Sequence, residues 1–273
     1  MIKPTPEDEA ALDATKAPLM EHLVELRKRL IWSGVSFLVA FGVAFFFAKD
    51  VFHFLQLPLQ RLTGKTMIFT ALGEPFFAYI KIGMFGGLCL AFPFIAAQIW
   101  MFIAPGLYKH ERSAFLPFLI ATPFCFGVGG AFAYYVLLPY AIHFFAGFQT
   151  AEMELMPKVN EYLDLVTKII LAFGLTFQLP VLLSLLGKVG IVTSQQLRNS
   201  RRFAIVGITA LAAVVTPPDM GISMAALAIP LIGLYEISIL LVAMFERKRL
   251  REDAERTARE VAEETASREA ASS

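Results

Sequence analysis

The chain has 273 residues, 57% of them hydrophobic, and a mean hydropathy of +0.63, with its apolar residues gathered in long runs. This excludes an ordinary soluble domain and points to an integral membrane protein. The formal net charge of +1 excludes little, because in a membrane protein the distribution of charge among loops is what informs.

Residues 1–19 are polar, include Glu7, Asp8 and Glu9, and run into an apolar stretch without a small-x-small exit. They read as a retained, disordered tail rather than a cleavable signal. A bilayer core of about 30 Å takes roughly 20 apolar residues in helix. By that ruler Ile31 to Ala48 is a first span, Phe76 to Ile103 a second, Ala114 to Leu138 a third and Leu163 to Leu186 a fourth. Between the first two, Asp50 to Leu62 has Val51, Phe54, Leu55, Leu59 and Leu62 near helical spacing. This predicts an amphipathic helix lying on the outer interface, with Asp50 as its N-cap.

The apolar region Phe203 to Phe245 is broken at Thr216-Pro217-Pro218-Asp219, since paired prolines remove two backbone donors. It divides into a fifth and a sixth span. Phe203 to Val215 is about 20 Å of helix, well short of the bilayer core. In the sixth, Glu236 interrupts after about fifteen apolar residues counted from Gly221. The prolines Pro93, Pro117, Pro123, Pro180 and Pro230 predict kinks. The expected fold is an all-α membrane protein of six kinked transmembrane helices, the short fifth and sixth giving a cupped shape. Its membrane domain covers residues 20–245, and residues 246–273 form a charged tail.

Six spans put both termini on one side. The tails and the second-to-third and fourth-to-fifth loops hold eighteen Lys and Arg residues, against Lys49, Arg61, Lys65 and Lys158 opposite. The positive-inside rule then places both termini in the cytoplasm.

Within the spans, Lys81 and Lys168 lie near the outer ends, where snorkelling to the headgroups is the simpler reading. Gln178 sits mid-span two residues before Pro180, either satisfying a proline kink or anchoring a partner. Glu236 reads as an interfacial carboxylate more readily than as a buried acid. Gly83-x-x-x-Gly87 and Gly127-x-Gly129-Gly130 favour close helix packing within the chain over dimerisation. Cys89 and Cys125 read as small buried hydrophobes rather than a disulfide. The four histidines lack ligand spacing, so neither a metal nor another cofactor is expected.

Two acids stand out because their surroundings are basic. Glu25 lies in His22-Leu23-Val24-Glu25-Leu26-Arg27-Lys28-Arg29, and Glu111 in Leu107-Tyr108-Lys109-His110-Glu111-Arg112. The topology brings both to the cytoplasmic face. A carboxylate accepts the planar fork of a guanidinium bidentately, so two carboxylates on one face suit a guest with two arginines. The neighbouring Arg27, Lys28, Arg29, Lys109 and Arg112 keep the acids ionised. The simpler reading pairs each glutamate with its own neighbours, worth only about 0–1 kcal/mol when exposed.

These motifs, with Gln98-Ile99-Trp100-Met101-Phe102-Ile103-Ala104-Pro105-Gly106-Leu107-Tyr108-Lys109-His110-Glu111-Arg112 after the second span and Thr216-Pro217-Pro218-Asp219 before the sixth, resemble the TatC family over roughly residues 20 to 245. That family is the polytopic receptor subunit of the twin-arginine protein translocase. The resemblance implies a non-enzymatic receptor in the bacterial inner membrane. It would bind twin-arginine signal peptides of folded cargo and recruit single-span partners of the TatA and TatB type into a multi-copy complex, with export driven by the proton motive force. It implies signal-peptide contacts at Glu25, Arg27, Phe102 and Glu111, partner docking at Gln178, Thr216 and Ser223, and outer-cap roles for Pro58 and Asp219. Where the family often has a glutamate, this chain has Gln178, which cannot titrate. Membrane lipids are the other expected neighbours; nucleic acid is not a partner.

Two other classes fit the sequence less well. A small-solute secondary transporter would show internal repeats or acidic partners for the intramembrane lysines, and neither is evident. A membrane-embedded enzyme would need a nucleophile with its base or an acidic metal cluster at depth.

Overall fold

The computed structural model describes residues 6–103, 116–150, 152, 155–215 and 221–272. Ten α-helices follow one another among these residues: α1 (Pro6–Phe46), α2 (Ala48–Thr63), α3 (Glu74–Ile103), α4 (Leu116–Phe132), α5 (Leu138–Ala146), α6 (Val159–Thr176), α7 (Gln178–Val189), α8 (Ser194–Asn199), α9 (Arg201–Val215) and α10 (Gly221–Ser272). Among the described residues five stretches are long and apolar enough to cross a membrane: His22–Phe46, Glu74–Phe102, Pro117–Ala146, Val159–Val189 and Leu227–Arg251. With the short α9, at 15 residues, they correspond to the six expected spans. The side chains on α1 show what surrounds them: Leu30, Leu38 and Val39 are 69%, 65% and 65% exposed, an apolar face that only lipid or another apolar helix would cover. The molecule is a multi-pass membrane protein.

The chain divides into two compact units, the first comprising residues 1–123 and 156–163 and the second residues 124–155 and 164–273. In the first, α1 lies along α3, and glycine sets how closely. A Cβ added at Gly87 would lie 2.7 Å from Phe41 Cα and 2.8 Å from its nitrogen, so only hydrogen fits between the two backbones. At Gly83 the obstacles are the Phe41 and Phe45 side chains at 3.1 Å. The glycine pair thus serves packing within the chain, as expected.

The α2 helix is amphipathic, burying Ala48, Leu55, Pro58 and Leu59. Asp50 is not its cap. The cap position falls on Phe47, which makes no side-chain cap bond, and Asp50 sits in the first turn, where its charge complements the helix dipole. Pro58 carries no N–H for the Phe54 carbonyl, and in this irregular turn the Tyr162 hydroxyl donates to the Leu55 carbonyl at 2.8 Å. Tyr162 is buried, so Tyr162→Phe should lower unfolding stability by about 1–2 kcal/mol, read by thermal denaturation in detergent.

A polar knot closes the same unit. Glu74, 6% exposed, accepts from the Thr70 N–H at 2.8 Å and the Asn160 N–H at 3.2 Å. Ile68 and Lys158 form an isolated parallel bridge, and Lys81 Nζ reaches Asn160 Oδ1 at 3.4 Å. Lys81 is therefore engaged within the protein rather than simply snorkelling to headgroups; Lys168 is exposed.

In the second unit, Gly129 lies against Phe173 and Phe177, where an added Cβ would come 2.7 Å from the Phe173 carbonyl oxygen. Between α4 and α5, residues Ala133–Leu137 form one π-helical turn in which the Leu138 N–H bonds the Ala133 carbonyl. Pro139 follows immediately; it has no N–H to offer Tyr135 and its ring would crowd that carbonyl, which the wider turn relieves. Pro180 falls in the first turn of α7, after a break at Phe177, where a missing N–H is tolerated.

The segment between α7 and α9 is fastened to α10. Thr193 and Gln196 form a capping box at the start of α8. Glu246 Oε2 accepts from the Ser194 N–H at 3.2 Å and hydroxyl at 2.7 Å, and the Tyr235 hydroxyl donates to the Leu197 carbonyl at 2.8 Å. Glu236 does not end α10; its carboxylate takes Arg201 at 2.6 Å, both side chains roughly half exposed. It is a surface ion pair rather than a buried acid. Cys89 and Cys125 are free thiols.

Candidate functional site

On α1, His22, Glu25 and Arg29 are spaced by three and four residues and so share a face. On α3, Met101 and Phe102 lie three and four residues beyond Gln98 and so share a face with it. The close α1–α3 packing brings the two triplets together. The His22 and Phe102 rings stack with centroids 4.4 Å apart and 23° between planes.

Arg29 bridges the two triplets. Its Nη2 and Nε reach Glu25 Oε1 at 3.0 and 3.4 Å, while Nη1 reaches Gln98 Oε1 at 3.2 Å and Met101 Sδ at 3.5 Å. The ion-paired side chains of Arg29 and Glu25 are 29% and 32% exposed, and Gln98 is buried at 7%. Beside them opens a cleft of about 510 Å³ lined, among the described residues, by Met20, Val24, Glu25, Lys28 and Arg29. A carboxylate at a half-wet cleft, with cations around it and an aromatic stack beside it, is suited to a guanidinium on an extended peptide.

The structure therefore brings Glu25 and Phe102 to one place. Arg27 is exposed and, two residues from Glu25, is turned roughly 200° round the α1 axis. Glu111, Thr216 and Asp219 lie outside the described residues, as does the side chain of Ser223. Pro58 is buried on α2, where the backbone meets the Tyr162 hydroxyl. Gln178 opens α7, and its Nε2 donates to the Gly174 carbonyl at 3.4 Å, beside the helix break. That bond fits the kink-satisfying reading.

His22, Gln98, Met101 and the double engagement of Arg29 were not singled out from the sequence. The Glu25-x-x-x-Arg29 spacing was a local signal for the ion pair. The Gln98 and Met101 contacts span 69 and 72 positions, and no local pattern announces them. No group of three or more His, Cys, Asp or Glu suited to a metal occurs among the described residues.

Residues 21–230 match the family described as Sec-independent protein translocase protein (TatC). A Sec-independent protein translocase protein TatC of Magnetococcus marinus is 48% identical over 241 residues, covering 88% of this chain and 89% of its own. Its counterpart from Escherichia coli is 40% identical over 224 residues, covering 81% and 86%. A crystal structure of a twin arginine translocase receptor TatC superposes with a TM-score of 0.76 at 39% identity, covering 82% of this chain and 99% of the other.

Proposed function

Because this chain belongs to the TatC family of Sec-independent protein translocases, we propose that it is the receptor through which folded proteins enter a transport route across a bacterial inner membrane. Its guest is a signal peptide bearing paired arginines. One of these is taken by Glu25 and the other by Glu111, nine residues beyond Phe102. The His22–Phe102 stack flanks the peptide backbone, and Lys28 and Arg29, which line the cleft, repel cations that cannot form a bidentate pair.

The observation that carries this reading is the Glu25 carboxylate at the cleft, already within hydrogen-bond reach of a guanidinium. The excess of basic residues on the same side supports a cytoplasmic site with both termini cytoplasmic. Single-span subunits of the TatA and TatB type dock along the fifth and sixth spans, with Gln178, Thr216 and Ser223 supplying polar contacts, and several copies form the working complex. Support comes from α9, which buries Ile208 and Ala212 but leaves Phe203 and Val206 67% and 68% exposed. Pro58 and Asp219 act as the outer cap. The proton motive force supplies the energy, and no covalent chemistry is assigned. A small-solute transporter has no support among the relatives found.

The test is site-specific photocrosslinking in inverted membrane vesicles. A twin-arginine signal peptide should crosslink to probes at Val24, Lys28 and Phe102 and not to probes at His53 or Arg61 on α2. Replacing both arginines by lysine should suppress the crosslinks. Equal labelling of α2, or indifference to the lysine exchange, would overturn the assignment.

A further inference from the structure

This inference rests on Glu25 being a receptor carboxylate, and concerns what occupies it when no guest is present. Arg29 gives two donors to Glu25 Oε1, at 3.0 and 3.4 Å, and is also seated on α3 by Gln98 Oε1 and Met101 Sδ. A second-helix seat is more than an ordinary i,i+4 helix pair requires. Both α3 acceptors are neutral, so they can hold an arginine without neutralising it, and Gln98 is buried.

We propose that Arg29 is a resident stand-in for the guest arginine. It occupies Glu25 in the empty receptor and withdraws onto Gln98 and Met101 when a signal peptide arrives. Displacement is what opens the full fork. A guest approaching Oε2 alone is confined to one oxygen, as Arg29 is at Oε1, whereas the parallel fork across both oxygens needs Oε1, the oxygen Arg29 holds. Binding is then an exchange of one guanidinium for another. A cation offering less than Arg29 leaves Glu25 occupied, so the pair sets a threshold on guests. Because the pair is partly exposed the threshold is low, on the order of a few-fold in affinity, and a well-formed twin-arginine guest passes it. The withdrawn Arg29 keeps two acceptors and does not swing into the guest.

The experiment measures the dissociation constant of a fluorescent twin-arginine signal peptide for the purified full-length protein in nanodiscs. It compares wild type, Arg29→Lys, Glu25→Gln and the double variant. Arg29→Lys preserves the charge but gives up the fork and the reach to Gln98, so it should tighten binding about two- to five-fold, and the gain should vanish in the Glu25→Gln background. Unchanged or weaker binding by Arg29→Lys, with wild-type binding still dependent on Glu25, overturns the stand-in and makes Arg29 a positioning residue for Glu25. If wild type and Glu25→Gln bind alike, the receptor reading itself has failed, a separate and recognisable result. Should Arg29→Lys fold poorly, Arg29→Gln asks the same question: tightening that depends on Glu25 supports the exchange, and its absence refutes it.

Discussion

Leucine at Gly87 is expected to force α1 away from α3 and to destabilise the protein by about 1–3 kcal/mol or more, the range for overpacking a close seam. The obstacle is backbone: an added Cβ would meet Phe41 Cα at 2.7 Å and its nitrogen at 2.8 Å, and neither can rotate aside. Gly83 provides the internal comparison, because there the nearest atoms belong to the Phe41 and Phe45 side chains, which can shift. Stability in detergent should fall in the order wild type, Gly83→Ala, Gly87→Ala, Gly87→Leu. The seam also holds the site together, since Glu25 and Arg29 come from one helix and Gln98, Met101 and Phe102 from the other. Peptide affinity should therefore fall along with stability. A Gly87→Leu protein that melts within a degree of wild type would show that the helices do not approach as closely as described.

Much of the fold was legible because a bilayer imposes a length. Long apolar runs separated by polar loops mark spans regardless of tertiary context, and the mostly apolar thirteen-residue run Phe203 to Val215 already announced the short α9. The amphipathic α2 was legible from its period, though not its cap: Asp50 has the right chemistry, yet the helix begins two residues earlier, after Phe47. The π turn before Pro139 was not legible because the apolar ruler ended the third span at Leu138 and left Pro139 outside it, whereas the helical stretch runs on to Ala146. Thr193-x-x-Gln196 was a readable capping box, overlooked beside the stronger apolar signals around it. Glu236 broke the apolar run but not the helix, because Arg201 supplies its counter-charge from 35 positions away.

The site divides along the same line. Glu25 was conspicuous as an acid among bases, a property of the local string. The roles of Gln98 and Met101 depend on the register of α3 against α1, which glycine packing sets and composition does not encode. Lys81 is a similar case: its position near a span end suggested snorkelling, whereas its acceptor Asn160 lies 79 residues along the chain.

Exchanging Glu25 or Glu111 for glutamine is expected to weaken capture of a twin-arginine peptide by roughly 10- to 100-fold each, the worth of a hydrogen bond to a charged group at about 1.5–3 kcal/mol. Glutamine keeps the shape and one acceptor oxygen, so the loss reports the charge and the second acceptor rather than a cavity. If the carboxylates hold different arginines, the two losses should combine nearly additively; if both grip one guanidinium, the double variant should lose less than the product of the singles. Glu25→Asp should lie between wild type and glutamine, since it retains charge but withdraws the fork by one methylene. The wild-type affinity should fall as salt rises, because Glu25 is partly exposed and the screening length shrinks to about 8 Å near 0.15 M. The glutamine variants should show a shallower salt dependence. Export of a folded reporter in cells should follow the same order as peptide affinity. Export that persists after loss of both carboxylates would mean that the paired arginines are read somewhere else on the molecule, and the cleft beside Glu25 would then need a different guest.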